Sequence, residues 1–277
     1  MKIGVLHPGE MGSSVGDALI EAGHQVFWAS ASRSETTRAR ASGGWQERIN
    51  LKDLIQEVGA IISVCPPSQA VTVANEVVAL DFNGIYLDAN AIAPQTALLI
   101  SDSFGELYVD GGLIGPPARR PGSTRLYLSG VKSELVQSWF QGGLLQARVL
   151  STNHGVEASA LKMAYAGYTK GSSALLILIN AFAEHLGVRE SLMEEWELSQ
   201  PDLKSRSEKM ANATAAKAWR FVGEMEEIAK TMSASDLPSG FHDAAAELYQ
   251  MMADLKYESN ADLEFVLKRI LQNRTEP

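Results

Sequence analysis

The stretch that decides the fold is Lys2-Ile3-Gly4-Val5-Leu6-His7-Pro8-Gly9-Glu10-Met11-Gly12, followed by an apolar-periodic segment from Met11 to Ala22. This pattern predicts a strand, a tight glycine turn and a helix. Such a turn places a pyrophosphate on the backbone N–H groups at the start of the helix. The segment is therefore expected to bind a dinucleotide through His7, Pro8, Gly9, Glu10, Met11 and Gly12.

The glycine pattern of this turn is incomplete. Gly9 lets the backbone approach phosphate, and Gly12 lets the helix pack closely on the strand, but His7 stands where the G-x-G-x-x-G pattern has glycine. Because His7 precedes Pro8, we expect an extended backbone there. Its side chain either fills space or donates a hydrogen bond to the cofactor or the substrate.

Composition places the chain among ordinary globular proteins. Its 277 residues are 45% hydrophobic and 21% charged, which suits one large or two ordinary domains. The single cysteine excludes a disulfide framework and fits a reducing, cytoplasmic location. Because Met1-Lys2 enters a strand pattern directly, we expect no signal peptide.

Charge and hydropathy exclude several classes of partner. The net charge of −9 argues against nucleic acid and against acidic membrane surfaces as partners. The longest apolar run begins at Ala174, contains Asn180 and is too short to span a bilayer. No cluster of metal-ligating side chains is evident in the sequence, so we expect no metal.

The first 152 residues alternate short apolar runs with amphipathic segments, which is typical of βαβ units and a parallel sheet. Right-handed crossovers then give a doubly wound α/β sheet of Rossmann type. The later runs lack long intervening helices, so the far edge is expected to be antiparallel or mixed. The predicted strands are Ile3–Leu6, Gln25–Trp28, Ala60–Val64, Ile85–Asp88, Leu107–Asp110, Leu126–Ser129 and Ala147–Leu150, and the predicted helices are Ser14–Ala22, Leu51–Val58, Gln69–Leu80 and Pro94–Asp102.

From about Asn153 onward the strand signal ceases, which predicts an all-helical second domain over residues 153–277. Its first helix, Glu157 to Glu184, is so apolar that it must be buried on most faces, most completely in a dimer. The further helices are predicted at Glu190–Leu198, Asp202–Met210, Thr214–Met232, His242–Leu255 and Leu263–Leu271.

The end of the second strand indicates which dinucleotide binds. An NAD site places an acidic residue about 20 residues beyond the glycine turn. Here Ser30, Ser32 and Arg33 occupy that region, and the first acidic residue is Glu35. Hydroxyl groups and a guanidinium suit a 2′-phosphate, so we expect NADP. A solvated serine-rich loop is the alternative.

Two further strand ends carry candidate contacts. Cys65-Pro66-Pro67 follows the predicted strand Ala60–Val64 and is expected to line the cofactor, with Cys65 as a small buried filler rather than a nucleophile. Asn90, after the next strand, either hydrogen-bonds the nicotinamide or substrate or caps the helix before Pro94.

Lys162 is the strongest catalytic candidate. It lies on the apolar helix, on the face of Ala158 and Ala166. Desolvation lowers the pKa of a lysine and suits acid–base chemistry at neutral pH. Tyr165 lies about one helical turn after Lys162, and Lys170 lies two turns after it. Both are expected to be secondary polar groups. The alternative is a lysine that extends its amine to solvent.

These segments together resemble the β-hydroxyacid dehydrogenases and the related 6-phosphogluconate dehydrogenase-like proteins. Glu10-Met11-Gly12 matches the end of their N-terminal pattern, and Asp88-Ala89-Asn90-Ala91-Ile92-Ala93-Pro94 is similar to their Asp-x-Ser-Thr-x-x-Pro segment. Asp110-Gly111-Gly112-Leu113-Ile114-Gly115-Pro116 resembles their glycine loop, and Gly155 with Lys162 matches the motif of the catalytic lysine. The C-terminal half resembles a helical domain of unknown function found in one subgroup.

The resemblance implies an NADP-dependent oxidoreductase that transfers a hydride between nicotinamide and a small polar or acidic substrate, with Lys162 as acid–base group and Tyr165 beside it. It implies substrate contacts at Asn90, Gly112, Ile114 and Lys170, and a homodimer formed through the helical domain. Ile114 replaces a serine of the family pattern, and Tyr165 replaces an asparagine. These departures leave open an imine reductase, which acts on C=N, and a non-catalytic NADP(H)-binding sensor.

Overall fold

The structure, a computed structural model, describes residues 1–258 and 260–273. Its internal contacts divide the chain into two units, Met1–Met163 and Ala164–Pro277. This division falls inside one long helix. The sequence places a domain boundary between residues 152 and 153, where the strand patterns end, and that boundary stays a prediction. Residues 259 and 274–277 of the predicted second domain lie outside the described residues.

A single eight-stranded sheet forms the centre of the first unit. In chain order its strands are β1 (Lys2–Leu6), β2 (Gln25–Ala29), β3 (Gln46–Arg48), β4 (Ala60–Ser63), β5 (Ile85–Asp88), β6 (Tyr108–Ile114), β7 (Thr124–Ser129) and β8 (Leu145–Ser151). Their order in space is β3-β2-β1-β4-β5-β6-β7-β8. The strand order reverses between β1 and β4, and open α/β sheets bind their ligands at the carboxyl ends of strands at such a point.

Helices connect these strands and cover both faces of the sheet. They are α1 (Glu10–Glu21), α2 (Glu35–Arg40), α3 (Leu51–Ile55), α4 (Ala70–Val78), α5 (Pro94–Phe104), α6 (Ser133–Ser138) and the start of α7 (Glu157–His185). Side chains alternate along β1, so Ile3 and Val5 join one core cluster and Leu6 joins the other. Burial on both faces explains why the central strands are continuous apolar runs.

The structure confirms the predicted α/β class and the mixed far edge. β6 and β7 pair antiparallel, and β7 and β8 pair parallel. β6 continues to Ile114, where the sequence predicted a glycine loop, because Gly111 to Ile114 pair with β7. The strand β3 and the helix α2 were missed, since both are short and polar.

The second unit, as far as it is described, consists of helices without strands. After α7 come α8 (Arg189–Ser199), α9 (Leu203–Ala215), α10 (Ala218–Ser233), α11 (Gly240–Gln250) and α12 (Leu263–Gln272). The helix break predicted at residues 211–213 lies at residues 216–217, between α9 and α10. Among the described residues, no helix combines the length and the apolar character that a membrane crossing requires.

Candidate functional site

The turn between β1 and α1 brings the backbone of strand and helix unusually close together. A Cβ on Gly12 would lie 2.5 Å from the carbonyl oxygen of His7, far inside van der Waals contact. The same carbonyl accepts a hydrogen bond from the N–H of Gly9 at 2.7 Å. Gly12 is therefore required for the turn, as the sequence predicted.

The expectation of an extended backbone at His7 is wrong. His7 has φ +63°, in the left-handed region that favours glycine. Pro8 favours an extended backbone at the residue before it. The turn overrides this preference because it directs the carbonyl oxygen of His7 at the start of α1. The backbone at position 7 thus has the geometry that glycine supplies in the G-x-G-x-x-G pattern, although the residue differs.

The surroundings of this turn fit an anionic group. The first N–H groups of α1 have no partner within the helix by geometry, and its N-terminal end attracts negative charge. Within the described part of the chain, the buried Nδ1 of His7 and the buried Nε of Arg33 have no hydrogen-bond partner. Burial, together with the charge of Arg33, lowers the pKa of His7 to about 4, so the imidazole is neutral at pH 7.

The end of β2 presents the residues predicted to select the cofactor. Ser30 is buried, Ser32 adopts φ +60°, and Arg33 is half-buried. Burial lowers the pKa of the Arg33 guanidinium, and the nearby Glu76 and Cys65 oppose this shift. Because Arg33 acts on His7 as well, its charge lies close to the β1–α1 turn.

Asn90 joins the ends of β4 and β5. Its Oδ1 accepts from the N–H of Cys65 at 2.6 Å, and its Nδ2 donates to Ser63 Oγ at 3.1 Å. These bonds fix the loop of Cys65, Pro66 and Pro67 beside the turn. Burial raises the pKa of the Cys65 thiol to about 12, which agrees with a buried filler and not a nucleophile.

Lys162 lies against the end of β6. Its Nζ donates to the carbonyl oxygen of Leu113 at 2.7 Å. A Cβ on Gly112 would lie 2.6 Å from the carbonyl oxygen of Ala158 and 3.4 Å from Cβ of Lys162. Gly112 thus permits the close approach of α7 that places this amine, and the neighbouring Ile114 is buried.

Tyr165 and Lys170 follow Lys162 on α7 but fall in the second unit. Tyr165 is exposed. The Nζ of Lys170 forms an ion pair with Glu224, and these side chains are only 17% and 11% exposed. Lys170 is therefore neutralised inside its own unit, an arrangement that the family pattern did not suggest.

Two buried aspartates lie at neighbouring positions of β5 and β6, and the sequence analysis gave neither a role. Asp88 and Asp110 are register partners, each 1% exposed. Burial raises the pKa of Asp88 to about 7. A hydrogen bond from the Asn90 N–H lowers this pKa, and the charge of Asp110 raises it further. Burial likewise raises the pKa of Asp110 to about 6, opposed by hydrogen bonds from Ser159. The signal available in the sequence was an aspartate ending each of two apolar runs.

Among the described residues, no three or more His, Cys, Asp or Glu side chains are grouped so that they could hold a metal ion. The polar groups at the carboxyl ends of the strands are one amide, several hydroxyls, one imidazole, the cations of Lys162 and Arg33, and the buried carboxyl groups of Asp88 and Asp110. Their chemistry suits binding of an anionic organic molecule and proton transfer.

Comparison with known proteins identifies the helical region first. A family described as "Domain of unknown function (DUF1932)" matches residues 183–252, which lie in the second unit. The resemblance of the C-terminal half to such a helical domain is thereby confirmed. A curated protein of Methanothermus fervidus, called an uncharacterized 28.5 kDa protein in the 7S RNA 5′ region, is 29% identical over 196 residues, covering 70% of this chain and 75% of that protein.

Solved structures establish the fold. A conserved protein of unknown function, described as structurally similar to 3-hydroxyacid dehydrogenases, is 25% identical with a TM-score of 0.65, covering 94% of this chain and all (100%) of that one. The 3-hydroxyisobutyrate dehydrogenase of Mycobacterium tuberculosis has a TM-score of 0.67 at 16% identity, covering 96% and 98%. The chain has the fold of the 3-hydroxyacid dehydrogenases, as its sequence motifs predicted.

Two further structures of this fold contain a nicotinamide cofactor. Psf3, in complex with NADP+ and 2-OPP, has a TM-score of 0.67 at 16% identity and covers 96% of this chain and 99% of its own. A variant of the imine reductase of Myxococcus stipitatus, in complex with NAD+, has a TM-score of 0.50 at 18% identity, covering 98% and 99%. Proteins of this fold therefore bind either cofactor.

We expect Asp88→Asn to gain stability relative to the unaltered protein as the pH rises from 5 to 8. The folded chain retains the Asp88 proton up to about pH 7, whereas the unfolded chain loses it near 3.8. Rising pH therefore destabilises the aspartate form across this window, and asparagine cannot titrate. One pKa unit corresponds to about 1.4 kcal/mol, so the difference should change by about 2–4 kcal/mol.

Urea unfolding of both proteins at pH 5 and pH 8 measures this change. His7 titrates with the opposite sign, but it is present in both proteins and cancels in the comparison. A stability difference that is the same at the two pH values would contradict the buried, proton-holding state of Asp88.

Proposed function

We propose that this protein is an NADP-dependent oxidoreductase that transfers a hydride between nicotinamide and a small polar or acidic substrate. The observation that carries the proposal is the left-handed turn at His7, located where the strand order reverses between β1 and β4. This is the position and the backbone geometry at which a Rossmann-type sheet holds a pyrophosphate on a helix N-terminus. The dehydrogenase-like fold supports the same activity.

The residues after β2 favour the phosphorylated cofactor. Ser30, Ser32 and Arg33 offer hydrogen-bond donors and a cation where an NAD site has a carboxylate for the ribose hydroxyls. The buried Nε of Arg33, which lacks a hydrogen-bond partner in the described chain, provides a donor for the 2′-phosphate. We infer that Gly9, Glu10 and Met11 contribute backbone N–H groups to the pyrophosphate.

Lys162 is the proposed acid–base group. A bound nicotinamide would supply or accept the hydride, and the protein must then accept or deliver a proton at the substrate oxygen. The Lys162 amine, fixed at the carbonyl oxygen of Leu113, has a proton to donate during reduction and accepts one during oxidation. Cys65 and its loop, held by Asn90, form a wall of this site and take no part in proton transfer.

Reduction of a C=N bond is the second candidate, and the side chain of Ile114 favours it. Ile114 is buried where the hydroxyacid dehydrogenase pattern has serine, so a hydroxyl that would bind a carboxylate is missing. An imine substrate needs a proton donor but no carboxylate-binding serine. Oxidation of NADPH by cyclic imines and reduction of NADP+ by 3-hydroxy acids, assayed side by side, separate the two activities.

We infer that the protein forms a homodimer through the helical unit. We also infer a cytoplasmic location, since a single cysteine fits a reducing environment. An exposed apolar stripe runs along α7 with the spacing of one helix face, and its most exposed residues, Tyr168 and Phe182, are 71% and 58% exposed. Its residues are Tyr165, Tyr168, Leu175, Leu178 and Phe182. Phe182→Glu should convert a dimer to a monomer in sedimentation analysis, and a monomeric unaltered chain at micromolar concentration would contradict the inference.

We expect the protein to bind NADPH at least about tenfold more tightly than NADH, since charge-assisted hydrogen bonds to a 2′-phosphate contribute about 1.5–3 kcal/mol. Arg33→Ala should remove most of this preference without weakening NADH binding. Arg148→Ala, which removes an exposed arginine from β8, is the matched control. Calorimetric titration gives all affinities, and equal affinities for the two cofactors would refute the 2′-phosphate assignment.

Lys162→Met should abolish turnover and leave NADPH binding intact, because methionine keeps the length of the side chain and removes the proton-carrying amine. General acid–base catalysis contributes about 10²–10⁴-fold, so the rate should fall by at least about 100-fold. Lys52→Met, on α3 of the same unit, serves as control. Full activity of Lys162→Met would contradict the catalytic role, and lack of turnover by the unaltered protein with every substrate would favour a sensor.

A further inference from the structure

The first turn of α7 is bound by side chains from two strands of the sheet. The carboxylate of Asp110, on β6, accepts hydrogen bonds from the N–H of Ser159 at 2.8 Å and from the Ser159 hydroxyl. Ser129, on β7, accepts from the N–H of Ala158 at 2.9 Å. These bonds satisfy N–H groups that a helix leaves unpaired at its start.

Both contacts originate at one point of the sheet. Asp110 and Ser129 face each other as register partners of the antiparallel pair β6 and β7. Asp110 alone brings a charge, and a carboxylate at the N-terminus of a helix is stabilised by the helix dipole. At 1% exposure this interaction is shielded from water, which strengthens it.

The same strand positions the amine of Lys162. Ala158 and Lys162 are one helical turn apart, and a Cβ on Gly112 would lie against both of them, so this glycine lets α7 approach β6 closely. Leu113, the next residue of β6, accepts a hydrogen bond from Lys162 Nζ at 2.7 Å. Asp110, Gly112 and Leu113 of β6 thus lie against Ala158, Ser159 and Lys162 of α7.

We propose that Asp110 is a positioning residue for Lys162: by binding Ser159 at the start of α7 it holds the helix against β6, so that the Lys162 amine lies at the Leu113 carbonyl. The proposal rests on the proposed function only in taking Lys162 as the acid–base group. Asp110 itself touches neither substrate nor cofactor in this assignment. Its effect on the reaction passes through the location of the amine.

Asp88 provides an internal comparison for this role. It is as deeply buried as Asp110 and is its register partner on the next strand. Its Oδ1, however, accepts from the N–H of Asn90, whereas the N–H groups at the start of α7 donate to Asp110 and Ser129. At pH 8, above the pKa of about 7 for Asp88 and of about 6 for Asp110, replacing either aspartate by asparagine removes one buried negative charge without a change of shape. Only the replacement of Asp110 acts on the helix.

Competitive acetylation of lysines in the full-length protein, resolved by peptide mass spectrometry at pH 8, tests the proposal without any substrate. In Asp110→Asn we expect Lys162 to react about five- to tenfold faster than in the unaltered protein, because charge-assisted bonds at the helix start are lost. Lys52 and Lys132 should react at unchanged rates and serve as internal standards. Asp88→Asn should leave Lys162 unchanged.

Ser159→Ala is the second variant, for use if Asp110→Asn does not fold. It removes the hydroxyl bond to Asp110 and keeps the N–H bond, so a smaller increase in Lys162 reactivity is expected. A purely structural Asp110 would lower the melting temperature and leave Lys162 reactivity unchanged in both variants, and that result would overturn the proposal. An equal increase in Asp88→Asn would do so too, by showing that any lost buried charge has this effect. Because acetylation is read without turnover, a failure of Lys162→Met to lose activity would refute the proposed function alone.

Discussion

The contact between the carbonyl oxygen of His7 and the first turn of α1 is the constraint on which the rest of the site depends. A glycine at position 12 is needed for this contact, since a Cβ there would lie 2.5 Å from the oxygen. In turn, the contact demands a left-handed backbone at position 7, which His7 adopts at φ +63°. Strand, turn and helix therefore direct the N–H groups of α1 at one point beyond the sheet, where an anion is best stabilised.

An imidazole in this turn changes what the turn can do. Burial and the neighbouring Arg33 keep His7 neutral, so it adds no charge to a site that already has a guanidinium. A neutral imidazole donates through one nitrogen and accepts through the other. His7 thus brings a hydrogen-bonding group to a position where glycine offers none, and we propose that it contacts the bound cofactor.

Sequence reasoning identified the parts of this fold that follow from periodicity and failed where tertiary contacts decide. The strand–turn–helix at residues 2–22 and the long helix α7 were predicted because their apolar patterns are continuous. β3 was missed because Gln46–Arg48 carries no apolar signal and is a strand only through pairing with β2. The conformation of His7 was predicted wrongly because a local rule for residues before proline gave way to the geometry of the turn.

In the candidate site, too, sequence patterns predicted some features and missed those that depend on tertiary contacts. Lys162 and the segments at residues 7–12, 30–33 and 65–67 were found from motif order, and they remain predictions as binding residues. The binding of α7 by Asp110 and Ser129 was not found, since it joins residues about 30 to 50 positions apart that only the β6–β7 register brings together. The ion pair of Lys170 with Glu224 was missed because it joins two helices, α7 and α10, whose residues are far apart in the sequence.

Hydrogen–deuterium exchange of the protein with and without NADPH measures directly whether the β1–α1 turn binds a dinucleotide. We expect NADPH to slow exchange in peptides that contain the N–H groups of residues 9–12 and 30–33. NADH should slow exchange in residues 9–12 alone. Peptides from the far edge of the sheet, such as residues 133–147, should exchange at the same rate throughout. Unchanged exchange at residues 9–12 with saturating NADPH would contradict a dinucleotide site at the β1–α1 turn.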